Sequence, residues 1–261
     1  MLPDLFSLGP LTIHTYGVFV AVGFAVAIIV TVRIARAYSI GSQQVMDMAF
    51  VGVLWGVIGS RVFFLFIYPS HYWTHPLEVF KIWEGGLVFS GGIVGAAAAM
   101  FFYSRRHRIA FRRMVDLWVP GVALGQAFGR FGCFMAGCCY GKPFSGIWGV
   151  VFTNPASLAP LNISLHPTQL YAALSGFLIF AILYFAQKRK KFEGQIALWF
   201  FILHSTSRLL EERFRADDRG MLPGTDMTLT QLVATIALIG AIVLLFILKR
   251  RHEAKTDGTS A

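Results

Sequence analysis

The chain has 261 residues, 56% of them hydrophobic and only 14% charged, against about 45–50% apolar and about 25% charged in an ordinary soluble domain. That composition excludes disordered, collagen-like and coiled-coil classes, and the long apolar blocks argue against a soluble globule. The net charge of +10 comes from 23 Lys and Arg against 13 Asp and Glu. The basic residues flank the apolar blocks, and the aromatic residues lie inside the blocks, so nucleic acid is not expected as a partner.

At about 20 residues per crossing, seven apolar blocks predict seven transmembrane helices. The fold class is therefore all-α, a polytopic helical bundle forming a single integral membrane domain over residues 1–261. The first block runs from about Tyr16 to Val32 and ends at Arg33 and Arg36. It lacks the basic region and the small-residue cleavage site of a leader, so it is expected to be a retained span. The second runs from about Met46 to Tyr68 and is interrupted by Arg61. The third, Gly85 to Ser104, carries no charge. The fourth begins at Val115 and continues past Arg130 to about Met135. Residues 141–167, with Pro143, Pro155, Pro160, Pro167, Gly146 and Gly149, read as a small external cap of turns and short strands. The fifth block lies between Thr168 and Gln187, the sixth between Gln195 and about Ser207, and the seventh between Met227 and Leu248. No internal repeat is evident.

Fifteen of the 23 basic residues fall in one set of loops: Arg33 and Arg36, the run from Arg105 to Arg113, Lys188 to Lys191, and Lys249 to Lys255. Lys81, Lys142, Arg208, Arg213, Arg215 and Arg219 fall in the opposite set, and Arg61 and Arg130 lie inside blocks. Basic loops mark the cytoplasmic side. The N-terminus is therefore expected outside and the C-terminus in the cytoplasm, as an odd number of crossings requires.

An ionisable residue inside a span costs about 2.5–3.5 kcal/mol on insertion scales and usually marks function. Counting from the cytoplasmic ends places Arg61 and Arg130 in the outer half. His14 and Tyr16 open the first block, Ser90 lies near the outer start of the third, His166 and Gln169 enter the fifth, and Arg208, Glu211 and Glu212 close the sixth. The polar set gathers at one level, the outer leaflet. Plain structural readings exist for most of it. Arg61 could pair with Glu84 or Glu212, Arg208 could pair with Glu211 and Glu212 one turn on, His14 and His166 could be interfacial hydrogen-bonders, and Tyr16 an aromatic-belt residue. Arg130, in Gly129-Arg130-Phe131-Gly132, favours function, because the glycines let a lipid or another backbone approach closely. Arginines converging in the outer leaflet need an anion. The available one is a lipid phosphate, which Arg holds through a bidentate fork. Residue chemistry alone gives a phospholipid-binding membrane protein, either an enzyme or an anionic phospholipid transporter or flippase. A transporter would want polar residues along the whole crossing.

Cys133, Cys138 and Cys139 are odd in number and two are adjacent, so no disulfide framework follows. Their spacing departs from the C-x₂₋₄-C pair of a zinc site, and vicinal thiols do not easily share one ion. Small apolar packing is the default, and neither a metal nor a cofactor is expected.

The stretch from Gly129 to Gly141, GRFGCFMAGCCYG, resembles the signature of the bacterial prolipoprotein diacylglyceryl transferases. Five further stretches are similar to that family in the same order: His14-Thr15-Tyr16-Gly17, Gly59-Ser60-Arg61, Trp83-Glu84-Gly85-Gly86 through Ser90-Gly91-Gly92, His166-Pro167-Thr168-Gln169-Leu170-Tyr171, and Arg208 to Arg215. The resemblance covers about residues 8 to 248. It implies transfer of the diacylglyceryl group of phosphatidylglycerol to the thiol of a lipobox cysteine in prolipoprotein signal peptides. The products would be a thioether and glycerol phosphate, and the location the bacterial inner membrane. It also implies that Arg130 and Arg208 hold the phosphate, that Glu212 orients Arg208, and that Tyr16 and Gly141 stand at important positions. Arg61, Ser90, Gly91, Gly92 and Gln169 lie in the matching stretches and are candidate substrate contacts. The chain departs from many members of the family at three places: Ser90 replaces a His assigned as thiol base, Cys133 an Asn, and Cys138 a Glu. A serine hydroxyl takes up no proton near neutral pH, which leaves His14, His166 or the leaving phosphate itself as candidates for proton handling.

Overall fold

The computed structural model describes residues 1–8, 11–69, 78–79, 85–217, 224–225 and 227–257. Seven long helices occur among the described residues: α1 Thr15–Ala35, α2 Ser42–Ile67, α3 Phe89–Arg106, α4 Phe111–Ala136, α5 Thr168–Ala186, α6 Gln195–Glu212 and α7 Leu229–Asp257. Four of them, α1, α2, α5 and α7, are long and apolar enough to cross a membrane. The protein is therefore a mostly helical membrane protein. Its helices correspond to the seven apolar blocks, with three shifts. Helix α3 starts after Gly85 and Gly86, whose φ values of 92° and 71° do not continue a helix. Helix α6 runs past Ser207, because Arg208 pairs along the helix with Glu211 and Glu212. Helix α7 continues through the basic run after Leu248, with Lys249 and Glu253 3.8 Å apart on one face.

The polarity is that of a protein solvated by lipid. Phe24, Ile29, Phe50, Phe66, Leu174, Leu178, Phe185, Ile236 and Phe246 are exposed on the helices, while Thr31, Arg61, Asp116, Gln169, Arg208 and Glu211 are buried. In water the exposed set would form apolar patches of a kind soluble monomers rarely carry.

The chain divides into two compact units, Val32–Met114 and Met1–Thr31 with Val115–Ala261. In the first, α2 packs on α3. Gly59 faces Gly91 and Gly95, and a Cβ on Gly59 would lie 2.9 Å from the Cα of Gly95. Backbones at that separation leave room for no side chain, which is how small residues let membrane helices meet.

In the second unit α4 is central. Helix α1 packs on it at Gly23 and Gly125, and α5 at Gly176 and Ala127. Val119 and Ala123 of α4 join Ile179, Leu183, Ile196 and Phe200 in one apolar cluster, and α6 packs on both α5 and α7. Pro120 lies inside α4. It has no N–H to offer the carbonyl of Asp116, and Gln187 Nε2 donates to that carbonyl at 2.6 Å instead. The fully buried Asp116 carboxylate accepts from the backbone N–H groups of Gly194 (2.8 Å) and Ala197 (2.9 Å), with Lys190 Nζ at 3.4 Å. It thereby satisfies donors that the start of α6 leaves open.

Two strand pairs complete this unit. An antiparallel hairpin, β1 Asp4–Leu8 with β2 Leu11–His14, precedes α1 and has no counterpart among the expected elements. The cap over 141–167 contains β3 Val150–Val151 paired with β4 Ser164–Leu165, around Phe152, Ala159 and Leu165.

Candidate polar site and thiol cluster

The polar site lies where the C-terminal end of α4, the N-termini of α1 and α5, and the C-terminal end of α6 meet. Tyr16, in the first turn of α1, lies against Gly132, where a Cβ would come within 3.1 Å of the Tyr16 ring. Arg130 is one turn before Cys133 on α4, partly buried, and acts electrostatically on Tyr16, Cys133 and His204. Among the described residues its guanidinium forms no hydrogen bond or ion pair.

Arg208 is held differently. Its two terminal nitrogens lie 3.3 Å from Glu211 and 3.2 Å from Glu212. Glu211 accepts from Ser207 Oγ (2.7 Å) and from Ser175 Oγ of α5 (2.9 Å), and Glu212 from Thr228 Oγ1 (3.0 Å). Both carboxylates are thus fixed by hydroxyls and in turn fix Arg208. Arg208 thus contacts Glu212, the carboxylate named for it in the sequence, and Glu211 as well.

His204 was not among the sequence candidates. It is one turn before Arg208 on α6, stacks on Phe200 with centroids 5.3 Å apart, and lies within electrostatic reach of Glu211, Arg208 and Arg130. It thus joins the two arginines expected to act together. Its signal in the sequence was positional: His204, Arg208 and Glu211 are spaced for one helix face.

The other candidates have local duties. His14 is on the exposed hairpin with Nδ1 2.6 Å from Asp4. His166 stacks on Phe144 (4.0 Å), meets the edge of Phe214 (5.2 Å) and hydrogen-bonds Tyr171 at 3.2 Å. Gln169 is fully buried and donates to the Cys138 carbonyl at 2.8 Å, while Thr168 donates to that of Cys139 at 2.7 Å. Gly141 pairs with Arg215 across an antiparallel bridge, and a Cβ there would lie 2.9 Å from the Phe214 carbonyl. The signature loop is therefore clamped between the start of α5 and the segment after α6. Arg215 itself is buried and bidentate on Asp217, at 2.8 Å for both contacts.

In the other unit Arg61 donates to the backbone carbonyls of Val79 and Gly85 at 2.9 Å, Gly86 at 3.1 Å and Glu78 at 2.6 Å. It organises the segment before α3. Glu84, one of its two expected partners, lies outside the described residues, as does Trp83; the other, Glu212, is paired with Arg208. Ser90 is exposed in the first turn of α3, followed by buried Gly91 and half-buried Gly92.

The sulfurs of Cys133, Cys138 and Cys139 all lie within 4.8 Å of one another, and none is in a disulfide. Hydrogen bonds from the Cys133 and Cys138 thiols, opposed by burial and helped by Arg215, hold Cys139 well below the usual thiol range. Hydrogen bonding with its two neighbours, and then burial, push Cys138 well above it.

Fold and site together define a multi-helix membrane protein with a buried arginine–carboxylate site at one end of a helical unit. The family described as prolipoprotein diacylglyceryl transferase matches residues 3–247, and the chain belongs to that family. Proteins named phosphatidylglycerol–prolipoprotein diacylglyceryl transferase are similar over most of their length. The protein of Clostridium tetani is 37% identical over 221 residues, 84% of this chain and 88% of its own. Those of Bordetella avium and Paracidovorax citrulli are 33% and 34% identical, covering 96% and 97% of both chains respectively.

Proposed function

We propose that this chain transfers the diacylglyceryl group of phosphatidylglycerol to the lipobox cysteine of prolipoproteins, as the names of its relatives describe. Family membership supports this reading, and the observation in the structure that carries it is Arg130. It is a partly buried residue of a long helix with no carboxylate on its guanidinium among the described residues, whereas Arg208, which acts on the same His204, has two. Such a charge is matched by an anionic ligand. The relatives reported above are all named as transferases, and none supports the transporter alternative.

The substrate thiol supplies the nucleophile. Its sulfur attacks the glyceryl carbon that bears the phosphate, the C–O bond breaks, and the electron pair leaves on the phosphate oxygen of glycerol phosphate. Arg130 and Arg208 meet the charge gathering there, a preorganised electrostatic contribution. His204, placed with both arginines, accepts the thiol proton, since imidazole is the side chain that changes charge near neutrality. His14 and His166 are held by Asp4 and by an aromatic box. Tyr16, Gly141 and Gln169 shape the surroundings, and Arg61, Ser90, Gly91 and Gly92 are candidate substrate contacts by their place in the family's motifs. The same reading has all seven helices crossing the bacterial inner membrane, N-terminus outside and C-terminus in the cytoplasm, with the site toward the outer leaflet. No cofactor enters it.

The test is transfer of labelled diacylglyceryl from phosphatidylglycerol vesicles to a lipobox peptide by the purified protein, followed against pH. Transfer is expected, with His204→Gln slowing it most at acidic to neutral pH, where little thiolate preexists. No transfer by folded protein would overturn the function. A His204→Gln profile unchanged from the parent would remove His204 from the proton path.

A further inference from the structure

The transfer chemistry leaves the three thiols without a task. We propose that Cys133, Cys138 and Cys139 form a binding site for a soft or borderline divalent cation of the zinc type, held by three thiolates with a fourth position open. Cys133 is on the last turn of α4, and the chain leaves that helix at Gly137, with φ 76°. It turns again at Cys139, with φ 61°. The second left-handed residue answers the objection that adjacent cysteines diverge: it turns Cys139 back so that all three sulfurs lie within 4.8 Å of one another. Sulfurs bound to one tetrahedral zinc at ~2.3 Å are roughly 3.8 Å apart, so closure asks for side-chain adjustment and no refolding.

The site is also held in place. Thr168 and Gln169 of α5 donate to the carbonyls of Cys139 and Cys138. That fixes the turn against a second helix, as a preorganised ligand set requires. An all-sulfur donor set selects borderline and soft ions over Mg²⁺ or Ca²⁺. A divalent ion on three thiolates has one net negative charge. Arg215 lies beside Cys139, its charge shared between that sulfur and Asp217.

The experiment uses the full-length, untagged chain in detergent, reduced and kept free of oxygen, and titrated with cadmium chloride. Sulfur-to-metal charge-transfer absorption should saturate at one ion per chain, with zinc chloride competing and magnesium chloride not. Bound cadmium should protect all three cysteines from alkylation. Cys133→Ser and Cys139→Ser should each weaken binding by more than the roughly 10–100-fold that losing an outer-shell partner costs. The proposal is overturned if no charge-transfer band appears while thiol titration counts three reduced cysteines, or if the triple Cys→Ser chain binds cadmium equally well. Should the serine variants fail to fold, protection in the unmodified chain decides alone, and its absence overturns the site. No lipid or peptide substrate is involved, so the outcome is separate from that of the transfer assay.

Discussion

Arg130 and Arg208 have the same side chain in different surroundings. Arg208 is tied to two carboxylates that are themselves tied to Ser175, Ser207 and Thr228. Arg130 is left to act on Tyr16, Cys133 and His204. Arg130→Ala should therefore leave thermal unfolding in detergent nearly unchanged while lowering transfer by about 10²–10³-fold, the cost of removing a donor to developing negative charge. Arg130→Lys should not restore it, because an ammonium lacks the planar fork. Residue types and order singled out Arg130, Arg208 and Glu212 as candidates. They did not mark His204, whose partners come from α4 as well as from α6. Nor did they show that Cys139 turns back, because a left-handed φ at a non-glycine residue leaves no trace in composition.

Helix existence was legible from apolar block length, and the boundaries shifted where local chemistry outweighed hydropathy. Paired charges carried α6 past Ser207, and the glycines at 85 and 86 delayed α3. The N-terminal hairpin was not legible, since β1 and β2 together span few residues and alternate weakly. The link from Asp116 to the start of α6 was also invisible, because it joins residues 78 and 81 positions apart. Asp116→Ala should destabilise the protein by about 3–5 kcal/mol, as removing one member of a buried charged set does. Asp116→Asn should cost less, because a carbonyl oxygen remains to accept one of the two N–H groups. Unfolding in graded denaturant, with intrinsic fluorescence as the probe, would measure both. Near-parental stability of the alanine variant would mean that the start of α6 is satisfied in another way.

For the whole molecule, the proposed orientation rests on the asymmetry of its basic residues, with Arg105 to Arg113, Lys188 to Lys191 and the C-terminal run on one side. Reporter fusions after Arg108, Lys190 and Arg251 should all report the cytoplasm, and fusions within 145–160 the opposite side. A mixed pattern would overturn the seven-crossing arrangement. Net basic charge alone would also have suited a nucleic-acid binder; its placement at block ends pointed to a membrane, and the exposed apolar faces of the helices agree with that.

The Asp116 contacts also bear on how the protein is made. The carboxylate reaches the membrane with α4 before Gly194 and Ala197, its backbone partners 78 and 81 residues later, have been synthesised. At roughly 5–20 residues per second, the ribosome needs about 4–16 s to deliver them. Through that interval a carboxylate near the start of a membrane helix has neither donors nor its Lys190 counter-charge, and water is the cheapest environment for it. Helix α4 should thus wait at the water boundary and settle to its final depth when α6 arrives. Chains arrested between residues 140 and 185, with Asp116 kept and a Leu117→Cys probe beside it, should leave that cysteine open to a water-soluble thiol reagent that cannot reach it in the finished protein, where position 117 is buried.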